Sequence, residues 1–325
     1  MNLRGIRDFI ERNDSFILTA HETPDADALG SEVALHGLLG QLGKEVRIVN
    51  ADSAPHIFDF ISGRCEIDVL SDESLLPKDI ASRALIILDV NDIRNIGNVA
   101  DLILPRCVEY FILDHHEREG TIVTENCIEE EASSTSELIY ELVVEMNEEI
   151  SDEMANAIYA GIVFDTGSFI YPKTTARTFD IARHLVELGV VPNRVYTLMY
   201  ESNSIAALLL QTKVAATLDL HLDEHVAVQQ MTAATLVETG ATYGEGQTLI
   251  NMPLRSENVR VSVFFKESPE GILRCSMRSK GAIDVAEIAQ SMGGGGHKTA
   301  AGFKCSDNID ESLQRVLAKL RPYFD

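Results

Sequence analysis

Positive charge is scarce in this 325-residue sequence: 27 lysines and arginines face 51 aspartates and glutamates, a formal net charge of −24. Such a field repels polyanions and argues against tight binding of long nucleic acid. A small anionic substrate stays compatible with it, because bound divalent cations can dominate the potential of one cleft. Cysteine is sparse too. Cys65, Cys107, Cys127, Cys275 and Cys305 are dispersed and form no C-x-x-C pair, which excludes a disulfide framework or zinc knuckle and leaves free thiols. No apolar run approaches the roughly 20 residues that span a bilayer. The opening "MNLRGIRDFIERND" reads as an amphipathic helix and has no signal-peptide core. The expectation is a cytoplasmic protein without a membrane partner. Its eight tyrosines follow no regular spacing, so no base-stacking platform is visible.

What is present is a soluble, globular composition with room for two domains. The runs "SFILTA" (15–20), "EVRIVN" (45–50), "ALIILD" (84–89) and "EYFILD" (109–114) are almost continuously apolar and β-branched. That pattern belongs to strands buried on both faces of a mainly parallel sheet. Helical patterns separate them, the first starting at Ala26 with Gly43 placed to end it. These features predict a doubly wound α/β fold. Helical patterns dominate from about 132 to 216, the first of them capped by Ser133, Ser134 or Thr135. Short strands then return, with helices near 284–291 and 308–321, giving a smaller α+β domain with a mixed sheet. The expected divisions are 1–190, a helical connector at 191–221, and 222–325.

Ligands of open α/β sheets bind at the carboxyl ends of the strands. Here those ends read "HETPDADALGS", "LDVND" and "LDHHE", and "FDTGSF" follows in a helix. Each has an ordinary explanation, since Asp25 or Asp27 can cap the helix at Ala26, and Asp89 or Asp165 can serve a turn. Taken together, His21, Asp25, Asp27, Asp89, the run Asp114-His115-His116 and Asp165 exceed what caps explain. Oxygen and imidazole donors without thiolates favour Mn²⁺ or Mg²⁺. So many donors suit two ions bridged by a shared carboxylate, a standard device for in-line displacement at phosphorus. In the Asp114-His115-His116 run, one ring would face the cleft and the other be held from behind.

The stretch "GGGGHKTAAGF" (293–303) is not a Walker A loop, because His297 interrupts the G-K-[ST] ending. Its bare backbone reads either as a flexible hairpin or as an anion site. The following His297 and Lys298, and the nearby "SMRSKG" with Arg278 and Lys280, favour the anion site.

The five stretches "HETPDADALGS", "LDVND", "LDHHE", "FDTGSF" and "GGGGHKTAAGF" together resemble the DHH phosphoesterase superfamily with its DHH-associated C-terminal domain. The layout and "DTGSFIYPKTTARTF" most resemble bacterial NrnA-type proteins, oligoribonucleases on very short RNAs and phosphatases of 3′-phosphoadenosine 5′-phosphate. The resemblance implies that His21, Asp25 and Asp89 hold one Mn²⁺, with Mg²⁺ as the alternative. Asp27, Asp89, His115 and Asp165 would hold the second, with Asp89 bridging. His116 would face the scissile phosphate and Asp114 orient a histidine. Arg278, Gly294, Gly295, Gly296 and His297 would grip the far end of the substrate across the interdomain cleft. Ser133, Ser134 and Thr135 match a hydroxyl-rich stretch of the family counted with the substrate site. The implied reaction is attack of a metal-bridging hydroxide on phosphorus, in a homodimer acting on short RNA, dinucleotides and nucleotides. The rivals are a cyclic-dinucleotide phosphodiesterase, a type II inorganic pyrophosphatase and an inactive nucleotide-binding sensor. "GGGGHKTAAGF" argues against the pyrophosphatase, and the intact donors against the sensor.

Overall fold

The computed structural model describes residues 3–63, 65–117 and 125–324, the side chains of Glu125 and His297 excepted. The chain divides into two compact units, Met1–Ser202 and Asn203–Asp325.

In the first unit, α1 (Arg4–Arg12) leads into β1 (Ser15–Thr19), α2 (Ala26–Gln41), β2 (Glu45–Asn50), α3 (Asp59–Ser62) and β3 (Ile67–Val69). Then come β4 (Ala84–Leu88), α4 (Val99–Leu102), β5 (Tyr110–Asp114) and β6 (Glu125–Ile128). Four helices close the unit: α5 (Thr135–Glu145), α6 (Asp152–Asp165), α7 (Ala176–Glu187) and α8 (Pro192–Tyr200). The sheet order is β3-β2-β1-β4-β5-β6, and every neighbouring pair is parallel. Alternate strand residues face opposite ways, and both sides are apolar. Phe16, Leu18, Ile86, Leu88, Phe111 and Leu113 join a core with residues of α1, α2, α5 and α6. Ile17, Leu85, Ile87 and Ile112 pack on the other side with Ile96, Val99 and Ile103. This explains the unbroken apolar runs of the central strands. β3 and β6 are short edge strands that such runs do not announce. The strand order reverses between β1 and β4, so a crevice forms outside their carboxyl ends.

Helix α2 is buried on nearly every side from Ala26 to Leu35, so no polar face marks it out in the sequence. It approaches α6 closely, through glycines. A Cβ on Gly30 would lie 2.5 Å from the Ala157 carbonyl oxygen. One on Gly161 would lie 2.0 Å from Ser136 Oγ and 2.7 Å from Asp27 Oδ1.

In the second unit, α9 (Ile205–Ala215), β7 (Asp219–His221), β8 (Val226–Met231) and α10 (Ala233–Thr239) come first. β9 (Val261–Glu267), β10 (Leu273–Ser279), α11 (Val285–Ser291), β11 (Gly295–His297), β12 (Ala300–Lys304) and α12 (Ile309–Leu320) follow. Its sheet runs β11-β12-β10-β9-β8-β7, antiparallel except for the parallel β8–β9 pair. This is the mixed sheet expected of a smaller α+β domain. The stretch 191–221 is shared between the units: α8 lies in the first, α9 and β7 in the second.

Gly161→Ala is expected to destabilise the protein by about 1–3 kcal/mol, the usual cost of overpacking. Urea unfolding of the variant beside the parent checks this, and an unchanged midpoint would mean that α6 can move away.

Candidate metal centre

Each expected donor stands where a backbone feature holds it. After β1, His21 Nδ1 lies 2.8 Å from the Glu22 carbonyl oxygen. A proton on Nδ1 would leave Nε2 with its lone pair, 3.8 Å from Asp25 Oδ2 and 3.7 Å from Asp89 Oδ2. Asp25 meets both of its readings. Its Oδ1 caps α2, accepting from the Asp27 and Ala28 amides at 2.9 and 3.1 Å, while Oδ2 faces His21. Asp27 is fully buried, and the first turn of α5 holds it. Its Oδ2 and Oδ1 accept from the amides of Thr135 (2.7 Å) and Ser136 (2.9 Å). Asp89 follows β4 at φ 60°, a left-handed conformation that a short polar side chain tolerates better than most.

The β5 end supplies the rest. Asp114 Oδ1 accepts from the His115 amide and lies 2.8 Å from His116 Nδ1. His115 Nδ1 lies 3.3 Å from the Ala132 carbonyl. Its Nε2 is 2.8 Å from Asp165 Oδ2, 3.6 Å from Asp89 Oδ1 and 4.0 Å from Asp27 Oδ2. That buried nitrogen nevertheless has no aligned hydrogen-bond partner among the described residues. His116 is half-exposed, with Nδ1 3.7 Å from Asp89 Oδ1.

The donors therefore gather as His21–Asp25–Asp89, Asp27–His115–Asp165 and Asp89–Asp114–His115–His116. Electrostatics shows what the cluster lacks. Burial, then the charges of Asp27, Asp25, Asp165 and Asp114, hold the Asp89 carboxyl well above its usual range. Burial also raises Asp27, with Asp165 adding to it, and Asp25, where His21 opposes the rise. Burial disfavours a charged His115, but Asp165 and Asp27 outweigh it, and its pKa rises. Burial works against ionised Asp114 as well, yet the hydrogen bond and charge of His116 keep it low. Burial and mutual repulsion thus disfavour full ionisation of the cluster. Its oxygen and imidazole donors, with an unsatisfied buried His115 nitrogen among them, fit divalent ions.

The hydroxyl stretch expected beside the substrate lies inside the protein. Ser133, Ser134 and Thr135 are all buried. Ser133 donates to Glu137 Oε2 (2.5 Å), Ser134 caps α5, and the Thr135 hydroxyl donates to Asp89 Oδ1 at 3.0 Å. Thr135 thus holds Asp89, while Ser133 and Ser134 bond within the start of α5.

Sequence reasoning overlooked three supports. Lys173 Nζ donates to the His115 carbonyl at 2.9 Å. Asn50 accepts from the Ala20 amide and donates to buried Glu32, which burial pushes up to about 8. This fixes the chain just before His21. Only pairing across the fold reveals these contacts.

In the second unit Arg278 stands in register with Ser262 on β9 and Ala300 on β12, and Ala300 pairs in turn with His297. The His297 side chain lies outside the described residues. Gly294 and Gly296 are required by packing: a Cβ would meet the Gly302 oxygen at 2.1 Å or the Ala300 oxygen at 2.5 Å, whereas one on Gly295 would meet open space. Buried Lys266, opposite Arg274, is a further cation the sequence does not single out. Burial, then Arg278 and Arg274, push it down to about 8.

Comparison with known proteins identifies the family. The DHH family N-terminal domain matches residues 15–162 and the DHHA1 domain matches 223–324. The bifunctional oligoribonuclease and PAP phosphatase NrnA of Bacillus subtilis is 30% identical over 318 residues, 94% of each chain. The chain belongs to the DHH family. A cyclic-di-AMP phosphodiesterase, GdpP of Geobacillus thermodenitrificans, is 27% identical to 99% of the DHH chain, which spans 49% of that protein. The crystal structure of an exopolyphosphatase-related protein from Bacteroides fragilis superposes on 98% of the DHH chain and 96% of its own, with a TM-score of 0.90 and 26% identity. No helix among the described residues is long and apolar enough to cross a membrane.

Thr135→Val removes one hydroxyl and keeps the amide bonded to Asp27. It is expected to weaken Mn²⁺ binding about 10- to 100-fold, the usual cost of losing such a support; calorimetric titration checks this, and an unchanged affinity would show that Asp89 needs no anchor. A pH effect follows as well. Asp25, Asp27 and Asp89 hold protons in the folded state above the 3.8 of an ordinary carboxyl, and His115 above 6.5. Their stabilisation is therefore lost as pH rises, because the unfolded chain releases those protons first. Metal-free protein is expected to melt lower at about pH 8 than at about pH 5, with Mn²⁺ raising the higher-pH midpoint more. Scanning calorimetry at both pH values decides it.

Proposed function

We propose that this DHH protein is a metal-dependent phosphoesterase acting on very short oligoribonucleotides, linear dinucleotides and 3′-phosphoadenosine 5′-phosphate. The observation that carries the reading is the convergence of His21, Asp25, Asp27, His115 and Asp165 around Asp89, on a crevice at the strand-order reversal. The similarity to the Bacillus subtilis relative over nearly the whole chain supports the substrate class.

His21, Asp25 and Asp89 would hold one divalent ion, and Asp27, Asp89, His115 and Asp165 a second, Mn²⁺ being favoured and Mg²⁺ the alternative. When bound, such ions activate water for attack on phosphorus and neutralise charge on the transferring group. The chain's own groups do the rest. Asp114, kept ionised, binds His116 Nδ1 and leaves Nε2 free to meet a phosphoryl or leaving-group oxygen. Arg278, Gly294, Gly295, Gly296 and His297 of the DHHA1 unit bind the far phosphate or base, so short substrates are preferred. A cytoplasmic homodimer completes the reading. Cyclic dinucleotides are the second reading, supported by the similarity to the Geobacillus phosphodiesterase.

One panel tests this. Purified protein with Mn²⁺ is offered 3′-phosphoadenosine 5′-phosphate, a 5′-phosphorylated diribonucleotide, a long RNA, pyrophosphate and cyclic di-AMP. Turnover of the first two, lost by at least about 1000-fold in Asp89→Ala, is the expected result. Absence of metal-dependent turnover on both would remove the proposal, and cyclic di-AMP alone would select the second reading.

A further inference from the structure

At one end of its sheet the second unit carries a recess of about 380 Å³, whose charged lining is cationic: Arg260 and Lys280, with His225 beside them. No carboxylate of the described residues lines it. Cavities of about 300–1,000 Å³ are of the size that takes small organic ligands. The topology gathers these groups from distant parts of the sequence. β8 and β9 are parallel and β10 runs back against β9, so the starts of the first two strands and the end of the third coincide. The Lys280 amide donates to the Arg260 carbonyl at 3.0 Å, and the Arg260 amide to the His225 carbonyl at 2.8 Å. Tyr323 and Phe324, which follow α12, complete the wall with buried Ile283.

Both cations have donors to spare. In a chain of net charge −24, an exposed arginine finds a carboxylate readily, as Arg47 does in Asp68 and Arg315 in Asp307. The Arg260 guanidinium has neither ion pair nor hydrogen bond among the described residues, and its five donors stay open. Lys280 Nζ gives one donor to the Ser256 carbonyl at 2.6 Å and meets no carboxylate. Like charges that share a recess favour an anion beside them. A guanidinium fork with an ammonium next to it matches a phosphate group. The aromatic groups differ in how far they are engaged. Phe324 is stacked on the His225 ring, 5.3 Å away at 17°, and His225 Nδ1 lies 3.0 Å from the Asn258 carbonyl oxygen. Tyr323, 45% exposed, has no ring neighbour among the described residues, which leaves a face for a planar group.

We propose that this recess binds a nucleoside monophosphate, with Arg260 and Lys280 on its phosphate and Tyr323 against the flat face of its base. Stacking on an aromatic ring tolerates any base, so AMP serves as the probe. The site shares no residue with the metal donors or with Arg278, Gly294, Gly295, Gly296 and His297. It requires no turnover, and it stands or falls independently of the function proposed above.

Equilibrium dialysis of AMP without added divalent ions tests this on the parent, Arg260→Gln, Lys280→Gln, Tyr323→Ala and two controls, Arg278→Gln and Lys319→Gln. Arg260 and Lys280 are exposed, so their replacement leaves the core intact. Each of these two variants is expected to weaken AMP binding about tenfold, the loss of one charge-assisted contact. Tyr323→Ala should weaken AMP about as much and leave inorganic phosphate, measured as a competitor, unchanged. Lys319→Gln, on α12 and outside the recess, should bind AMP within about twofold of the parent. No AMP binding by the parent, undiminished affinity in Arg260→Gln and Lys280→Gln, or an equal loss in Lys319→Gln would overturn the site. Loss in Arg278→Gln alone would also overturn it, by assigning the bound AMP to the substrate grip. Inorganic phosphate competing as strongly as AMP itself, with Tyr323→Ala silent, would overturn the nucleotide and identify free phosphate as the ligand.

Discussion

Two backbone amides decide where the buried charge of this protein stands. The Thr135 and Ser136 N–H groups take one oxygen each of Asp27, and the Thr135 hydroxyl takes Asp89. The amino end of a helix favours an anion, so α5 partly compensates carboxylates that burial would otherwise force to protonate. Compensation is incomplete, as the raised Asp27 and Asp89 carboxyls show. The remainder is what a divalent cation would answer. Gly161 belongs to the same arrangement, since a side chain there would strike both Ser136 and Asp27.

The central strands were legible because burial on both faces writes itself as unbroken apolar sequence, and their acidic ends stood out against it. β3 and β6 were not, being too short to carry a pattern. Asp25 shows why a cap and a candidate ligand look alike in sequence: one carboxylate has two oxygens and does both. For the serines and threonine at 133–135, residue type pointed to the right neighbourhood but not to the direction of the side chains, which only the packing of α5 on Asp27 and Asp89 determines. The roles of Lys173, Asn50 and Glu32 were invisible because their partners are distant in the chain.

Charge is distributed as unevenly as it is abundant. Against a net charge of −24, the DHHA1 sheet puts Arg274, Lys266 and Arg278 on two adjoining strands, close enough for the two arginines to depress Lys266. In the DHH unit the opposite sign is concentrated at the end of the sheet. An anionic substrate would thus be attracted by one unit directly and by the other only once cations are bound.

The strand order β3-β2-β1-β4-β5-β6 also constrains how the protein comes to hold ions. The Asp27–Thr135 contact joins positions 108 apart in the chain, and no two of the segments bearing His21, Asp89, His115 and Asp165 are neighbours in sequence. Closing loops of that length carries an entropic cost, which the folding of the sheet meets. The extended chain therefore offers a metal only partial chelates, such as His21 with Asp25 or the run Asp114-His115-His116. The complete donor set thus exists only in the assembled sheet, so its arrangement is written into the scaffold.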